Sequence, residues 1–267
     1  MSPWWGDYEV GVKQTLRWQI GPKTLWITRG DKEWRVTTTE GQDPLDNRLS
    51  IAEEAEEPVG DDVDARRFAL RGESCTIRLV PALPDRPLIV KAARPFFVPT
   101  MEEVTLFVSA PLWLRVYAGE GSTELVDVAL TQPSDTWFGP NTMSGELCYA
   151  SRSSARLNVE NLPLRPHRSI SALHIRNSAK SILKLEKLKV PVQHLGLFAS
   201  EEGHLWTDAL KFEREDDTED AKVFLDNRPT QIVKEIRIAP PRIRMSKGFL
   251  LDAFGGLIGK LKEKWDE

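Results

Sequence analysis

Residues 103–149 read EVTLFVSAPLWLRVYAGEGSTELVDVALTQPSDTWFGPNTMSGELCY, and this stretch decides the class of fold. Val104, Leu106 and Val108 alternate with Thr105, Phe107 and Ser109. Leu112, Leu114 and Val116 alternate with Trp113, Arg115 and Tyr117, and Val126, Val128 and Leu130 with Asp127 and Ala129. Side chains two apart share one face of a strand, so these runs read as half-buried strands. Ala110-Pro111 and Gly119-Glu120-Gly121-Ser122 supply turn chemistry between them. The local reading is a β-meander.

The same pattern extends in both directions. Thr15 to Ile20, Thr24 to Thr28 and Glu33 to Thr39 are rich in Trp, Ile, Val and Thr, with Gly21-Pro22 and Arg29 to Lys32 as turns. Trp18, Trp26 and Trp34 recur at a spacing of eight, which would stack one Trp per strand on a shared face. Arg67 to Leu70, Thr76 to Val80 and Leu88 to Val90 follow as short strands. Downstream lie Arg156 to Val159, Ile170 to Arg176 and Ile182 to Val190, then a hairpin of His194 to Ser200 and His204 to Glu213 across Glu201-Glu202-Gly203. The acidic run Glu53 to Asp64 lacks apolar periodicity and reads as a solvated, mobile loop, and the second, Glu213 to Asp220, as an exposed loop.

The end of the chain changes character. Residues 233–244 hold a proline pair in a basic setting, an extended connector. In the following GFLLDAFGGLIGKLKEKW, Phe249, Leu250, Phe254, Leu257, Ile258, Leu261 and Trp265 make one apolar face of an amphipathic helix. Gly255, Gly256 and Gly259 would weaken that helix by about 1 kcal/mol each, so it needs a surface to form on. That surface is protein, a twin helix in an oligomer, or an anionic membrane met by the lysines of 245–267.

At 267 residues, with 40% apolar and 28% charged content, the chain has the makings of a soluble globular protein. A net charge of −4 argues against nucleic acid as main partner. No signal-peptide pattern and no membrane-length apolar run is visible, and Cys75 and Cys148 form no disulfide framework, which points to the cytoplasm or the inner face of the cell membrane. The fold expectation is therefore all-β: stacked antiparallel sheets, as one elongated β-sandwich or two small ones over 1–99 and 100–232, with connector and helix over 233–267.

Catalytic signatures are missing. There is no G-x-S-x-G, no H-E-x-x-H, no C-x-x-C, no phosphate loop, and the four histidines are scattered. No catalytic, cofactor or metal residue is assigned. The most distinctive segment, Ser134 to Arg156, sets aromatics beside turn formers and offers Asp135, Trp137, Asn141, Glu146 and Arg152 as a ligand or partner surface. An enzyme would need Asp135 and Glu146 gathered with His174 or His204.

The run SDTWFGPNTMSGELCYA resembles a family of uncharacterised archaeal and bacterial proteins, a domain of unknown function. LRWQIGPKTLWITRGDKEWRV and HLGLFASEEGHLWTDALKFERE carry the same likeness, which covers most of residues 4–216 and leaves out the acidic loops and the C-terminal helix. The resemblance implies no known activity and no catalytic residues. It points to a membrane-linked setting, some relatives being encoded near small mechanosensitive channels. The resulting expectation is a non-enzymatic accessory or adaptor protein that binds a protein partner or its own copy, at a membrane surface in one version. The alternative is a β-sandwich that binds a small ligand, sugar or lipid, on exposed Trp. Burial of Trp113, Trp137 and Trp206 in the core favours the first, and their grouping in an open groove the second.

Overall fold

The computed structural model of the protein describes residues 3–53, 55–58, 64–69, 74–119, 123–139, 145–151, 154–218, 220–226, 236–245 and 248–254. Within them the chain is all-β, broken only by short 3-10 turns at Val159–Asn161 and Val192–His194. Strand β1 (Gly6–Glu9) leads in. Then β2 (Thr15–Ile20), β3 (Lys23–Arg29), β4 (Glu33–Glu40), β5 (Leu49–Ala52) and β6 (Asp64–Ala69) form an antiparallel sheet in the order β5-β2-β3-β4-β6. Its inner face buries Trp18, Leu25, Ile27, Trp34 and Val36.

The tryptophan ladder is corrected here. Trp18 pairs with Leu25, whereas Trp26 pairs with Arg17 and Thr37. Both hairpins match even-numbered residues to odd-numbered ones, so even-numbered residues on adjacent strands take opposite faces. Trp18 and Trp34 share the buried side and Trp26 lies on the other. The acidic run is also less solvated than its composition suggests. The Glu57 carboxylate accepts hydrogen bonds from Thr37 at 2.5 Å and Thr28 at 3.3 Å, and pairs with Arg35 at 3.1 Å.

Next come β7 (Thr76–Ala82), β8 (Leu88–Val98), β9 (Glu103–Pro111), β10 (Trp113–Ala118) and β11 (Thr123–Ala129). A second sheet runs β1-β7-β10-β11, so β10 and β11 do form a hairpin. Strand β9 does not join it. Only Leu112 separates β9 from β10, too little for a hairpin loop, which takes at least about two residues. The chain instead bends at Leu112 and passes from one sheet to another. Leu112 N–H donates to the His167 carbonyl at 3.0 Å, and the Leu112 carbonyl accepts from Leu130 at 2.9 Å, which pins the corner.

A third sheet uses β12 (Ser134–Phe138), β13 (Glu146–Ala150) and, after β14 (Arg168–Asn177), β15 (Leu183–Val190), in the order β12-β13-β8-β15. The expected strand at 156–159 reduces to bridges at Ala155 and Arg156 followed by a 3-10 turn. The fourth sheet is built on β14 with β16 (Leu197–Ala199), β17 (Leu205–Thr207), β18 (Ala209–Arg214), β19 (Asp220–Asp226), β20 (Ile236–Ala239) and β21 (Phe249–Asp252). Strand β9 pairs along one edge of β14, and β17 and β18 share its other edge. The β16–β17 hairpin expected across Glu201 to Gly203 forms. Pairing is antiparallel except where β13 meets β8 and where β14 meets β17 and β18.

One buried cluster runs from Trp4 to Phe254 and draws on all four sheets. Strands on either side of Pro99 pair with each other, β7 with β10 and β8 with β15. At the far end, the described part of the expected amphipathic helix is a strand. Phe249–Asp252 is a strand paired with β19, Leu250 is exposed, and Phe254 is buried against Phe212 with ring centroids 6.3 Å apart. Leu257, Ile258, Leu261 and Trp265 lie outside the described residues. The basic connector is also committed. Arg242 grips the Asp127 carboxylate at 2.5 and 2.8 Å and donates through Nε to the Leu83 carbonyl, fixing Pro240-Pro241 to the second sheet. No helix among the described residues is long and apolar enough to cross a membrane.

Candidate functional site

The sequence-singled surface lies on the β12–β13 hairpin, and strand alternation divides it. Asp135 pairs with Tyr149 and Trp137 with Leu147 on one face, while Phe138 and Glu146 pair on the other. On the first face Asp135 meets Arg86 at 3.3 Å, and that guanidinium lies 5.2 Å over the Tyr149 ring. Tyr149 donates its hydroxyl to Asp85 at 2.9 Å. On the second face Glu146 pairs with Lys189 at 3.2 Å, and the same ammonium sits 5.1 Å above the Phe138 ring. Asp135 and Trp137 are thus together, and Glu146 is apart from them. Asn141 and Arg152 lie outside the described residues.

Ionisation in the hairpin favours protonated, inert groups. Burial pushes the Cys148 thiol up to about 11, with Glu146 adding to the shift. Burial and then the hydrogen bond to Asp85 push Tyr149 up to about 12. A thiol that stays protonated is a poor nucleophile. What the hairpin does present is apolar surface. Trp137 is 47% exposed and Leu147 is 41% exposed, directly across from each other. Gly145 makes room for that indole: a Cβ there would stand 2.5 Å from Trp137 Nε1 and 2.7 Å from the Phe138 carbonyl. Strand β12 ends its sheet, and among the described residues no strand pairs with its outer edge.

The histidines do not gather around these carboxylates. His174 engages Thr105 at 2.9 Å and lies 3.8 Å from Asp226, His194 meets the Ile243 carbonyl at 3.1 Å, and His204 lies 3.5 Å from Glu202. His167 is fully buried, neither ring nitrogen making a hydrogen bond of ordinary geometry. Burial, then Arg168 and Arg165, lower it to about 4, against a smaller pull from Asp46 and the Pro44 carbonyl. It is a neutral core residue at physiological pH.

A second feature was not singled out by the sequence. Between the start of the chain, the beginning of β5, the loop before β14 and the β16–β17 turn lies a cleft of about 260 Å³. Trp4, Trp5, Leu49, Leu164 and Leu205 line it, with Arg165 and His204 as polar wall. Trp4 is locked by donating Nε1 to the Pro166 carbonyl at 3.0 Å, and Trp5 meets it edge-on at 5.6 Å. The Trp pair in PWWG was the visible signal. Its partners come from remote parts of the chain, which no local pattern reveals.

A family model defined for proteins of unknown function matches residues 4–259. The chain belongs to that family, DUF432. The match takes in every DUF432 element from β1 to β21, so family character extends past residue 216, where the sequence likeness ended. Both the hairpin and the cleft fall inside the DUF432 match. No curated protein and no solved structure matches the chain.

Proposed function

We propose that the protein is a non-enzymatic adaptor that binds a partner protein by accepting an extended segment of it along the outer edge of β12, with which no strand among the described residues pairs. The observation that carries this is the exposed Trp137–Leu147 pair on the outermost strand of its sheet among the described residues. An edge strand presents a row of backbone donors and acceptors, and proteins usually blunt it with lysine, proline or a cover. The β12 sequence, SDTWF, contains neither lysine nor proline. Strand addition supplies main-chain hydrogen bonds, and a half-exposed Trp supplies an aromatic anchor of the kind that dominates interface energetics. The fitting segment has apolar side chains at alternate positions, to cover Trp137 and Leu147.

The tryptophan comparison supports this over a sugar or lipid groove. Trp113 and Trp206 are buried in the core, and Trp137 stands apart from them. Among the described residues of this hairpin Cys148 and Tyr149 are held protonated, and the histidines are engaged elsewhere, which supports binding over a hydrolytic or transfer reaction.

The test places a photocrosslinking residue at position 137 of the full chain in its own cells. A discrete adduct with another protein is expected, absent when the crosslinker stands at exposed Val12. A synthetic peptide from the crosslinked region should then slow amide exchange over 134–138. Unchanged exchange, or adducts only with a second copy of the chain, would sink the reading.

A further inference from the structure

We propose that the cleft at the β16–β17 turn is a binding site for a small monocarboxylate with a flat aromatic or branched aliphatic body. The site is separate from the β12 edge and is argued from its own residues. Its volume, about 260 Å³, suits a molecule of one ring rather than a polymer or a lipid tail. The lining is apolar over most of its surface. Trp5 is the half-buried aromatic wall, backed edge-on at 84° by the fully buried Trp4, which its bond to Pro166 holds rigid. Preformed walls of this kind take a flat apolar body without an ordering cost.

The polar side fixes the charge of the occupant. Among the described residues of the lining, Arg165 is the one cation whose charge does not depend on pH. It is half-buried and already oriented, donating through Nη1 to the Leu45 carbonyl. A guanidinium carries five donors in a planar fork, which matches a carboxylate. Glu202, the acid of the lining, is turned to His204 at 3.5 Å and has a side chain 82% exposed, so solvent screens it. One permanent cation in the lining against one screened acid favours a single negative charge over a phosphate dianion. A neutral sugar would leave the guanidinium without a counter-charge.

Ligand-observed NMR on the full chain tests this with four probes: phenylacetate, isovalerate, the neutral 2-phenylethanol and methyl glucoside. Phenylacetate and isovalerate should bind and compete with each other, with 2-phenylethanol weaker by about tenfold or more, the loss expected for one charge-assisted bond. Arg165→Gln should weaken phenylacetate by a similar factor and leave 2-phenylethanol unchanged. Because Arg165 also braces Leu45, a second variant is needed. Leu164 is 41% exposed, so Leu164→Trp should fill the cleft without disturbing the core. It should remove binding of both phenyl probes at an unchanged melting temperature. Equal binding of acid and alcohol, phenylacetate binding that survives Leu164→Trp, binding of the glucoside alone, or no carboxylate binding at millimolar concentration would each overturn the proposal.

Discussion

At Gly21 two demands coincide. Its φ is +59°, and a Cβ on it would lie 2.1 Å from His167 Nδ1. Left-handed backbone costs a non-glycine residue about 1–2 kcal/mol, and the clash adds to that. Gly21→Ala should therefore destabilise the protein strongly, yet cost only the backbone share in a His167→Ala background. Urea midpoints of the four proteins check this; equal costs in both backgrounds would show that the contact is slack. His167 also sets a pH dependence. Its folded value is about 4 against the usual 6.5, so below pH 6.5 the unfolded chain takes up a proton that the native one refuses. Stability should be complete above pH 6.5 and fall as pH drops to 4, by at most about 3 kcal/mol. Asp7, Asp46 and Asp217 are held low by hydrogen bonds from Arg78, Arg48 and Ser181, and titrate beneath that window. Asp252, raised by burial, opposes the trend near its lower end. His167→Ala should flatten the curve of urea midpoint against pH; parallel curves would remove His167 as the cause. Neither effect was legible in the sequence, because nothing local ties a histidine to a hairpin glycine so far upstream.

Among the elements, β21 teaches most. FLLDAF satisfies a helical face and a short strand equally, and spacing alone favoured the helix. Pairing with β19 and the seat of Phe254 against Phe212 decide for the strand. Emptying that seat by Phe254→Ala should cost about 3–5 kcal/mol, as large aromatic deletions in cores do. A chain ending at Arg244 should melt well below one ending at Phe254, and equal melting temperatures would mean that β21 adds nothing. The hairpin segments were legible for the opposite reason. Two-residue alternation in β10, β11 and β14 is a local property that tertiary pairing preserves. What alternation cannot give is register, and so Trp26 landed on the opposite face from Trp18. Register likewise set Glu146 on the opposite face of the hairpin from Asp135, and sheet membership, which alternation also cannot give, sent β9 away from β10.

For the molecule as a whole, three of the four sheets among the described residues combine strands distant in the chain, and all four contribute to one buried cluster. Unfolding should therefore be a single transition, with Trp fluorescence and far-UV circular dichroism tracing the same curve. Two resolved transitions would favour the reading of two halves meeting near Pro99. The cleft was illegible at any scale below this one, since its walls come from residues near 4, 49, 165 and 204. The order of the strands has a consequence for biosynthesis as well. On the ribosome, the β5-β2-β3-β4-β6 sheet has all its strands once residue 69 is made, whereas the sheet built on β14 waits for residue 252. A nascent chain thus carries a finished sheet with Trp18 and Trp34 on its inner face long before the rest of the core has been translated. That interval is when a chaperone has something to hold.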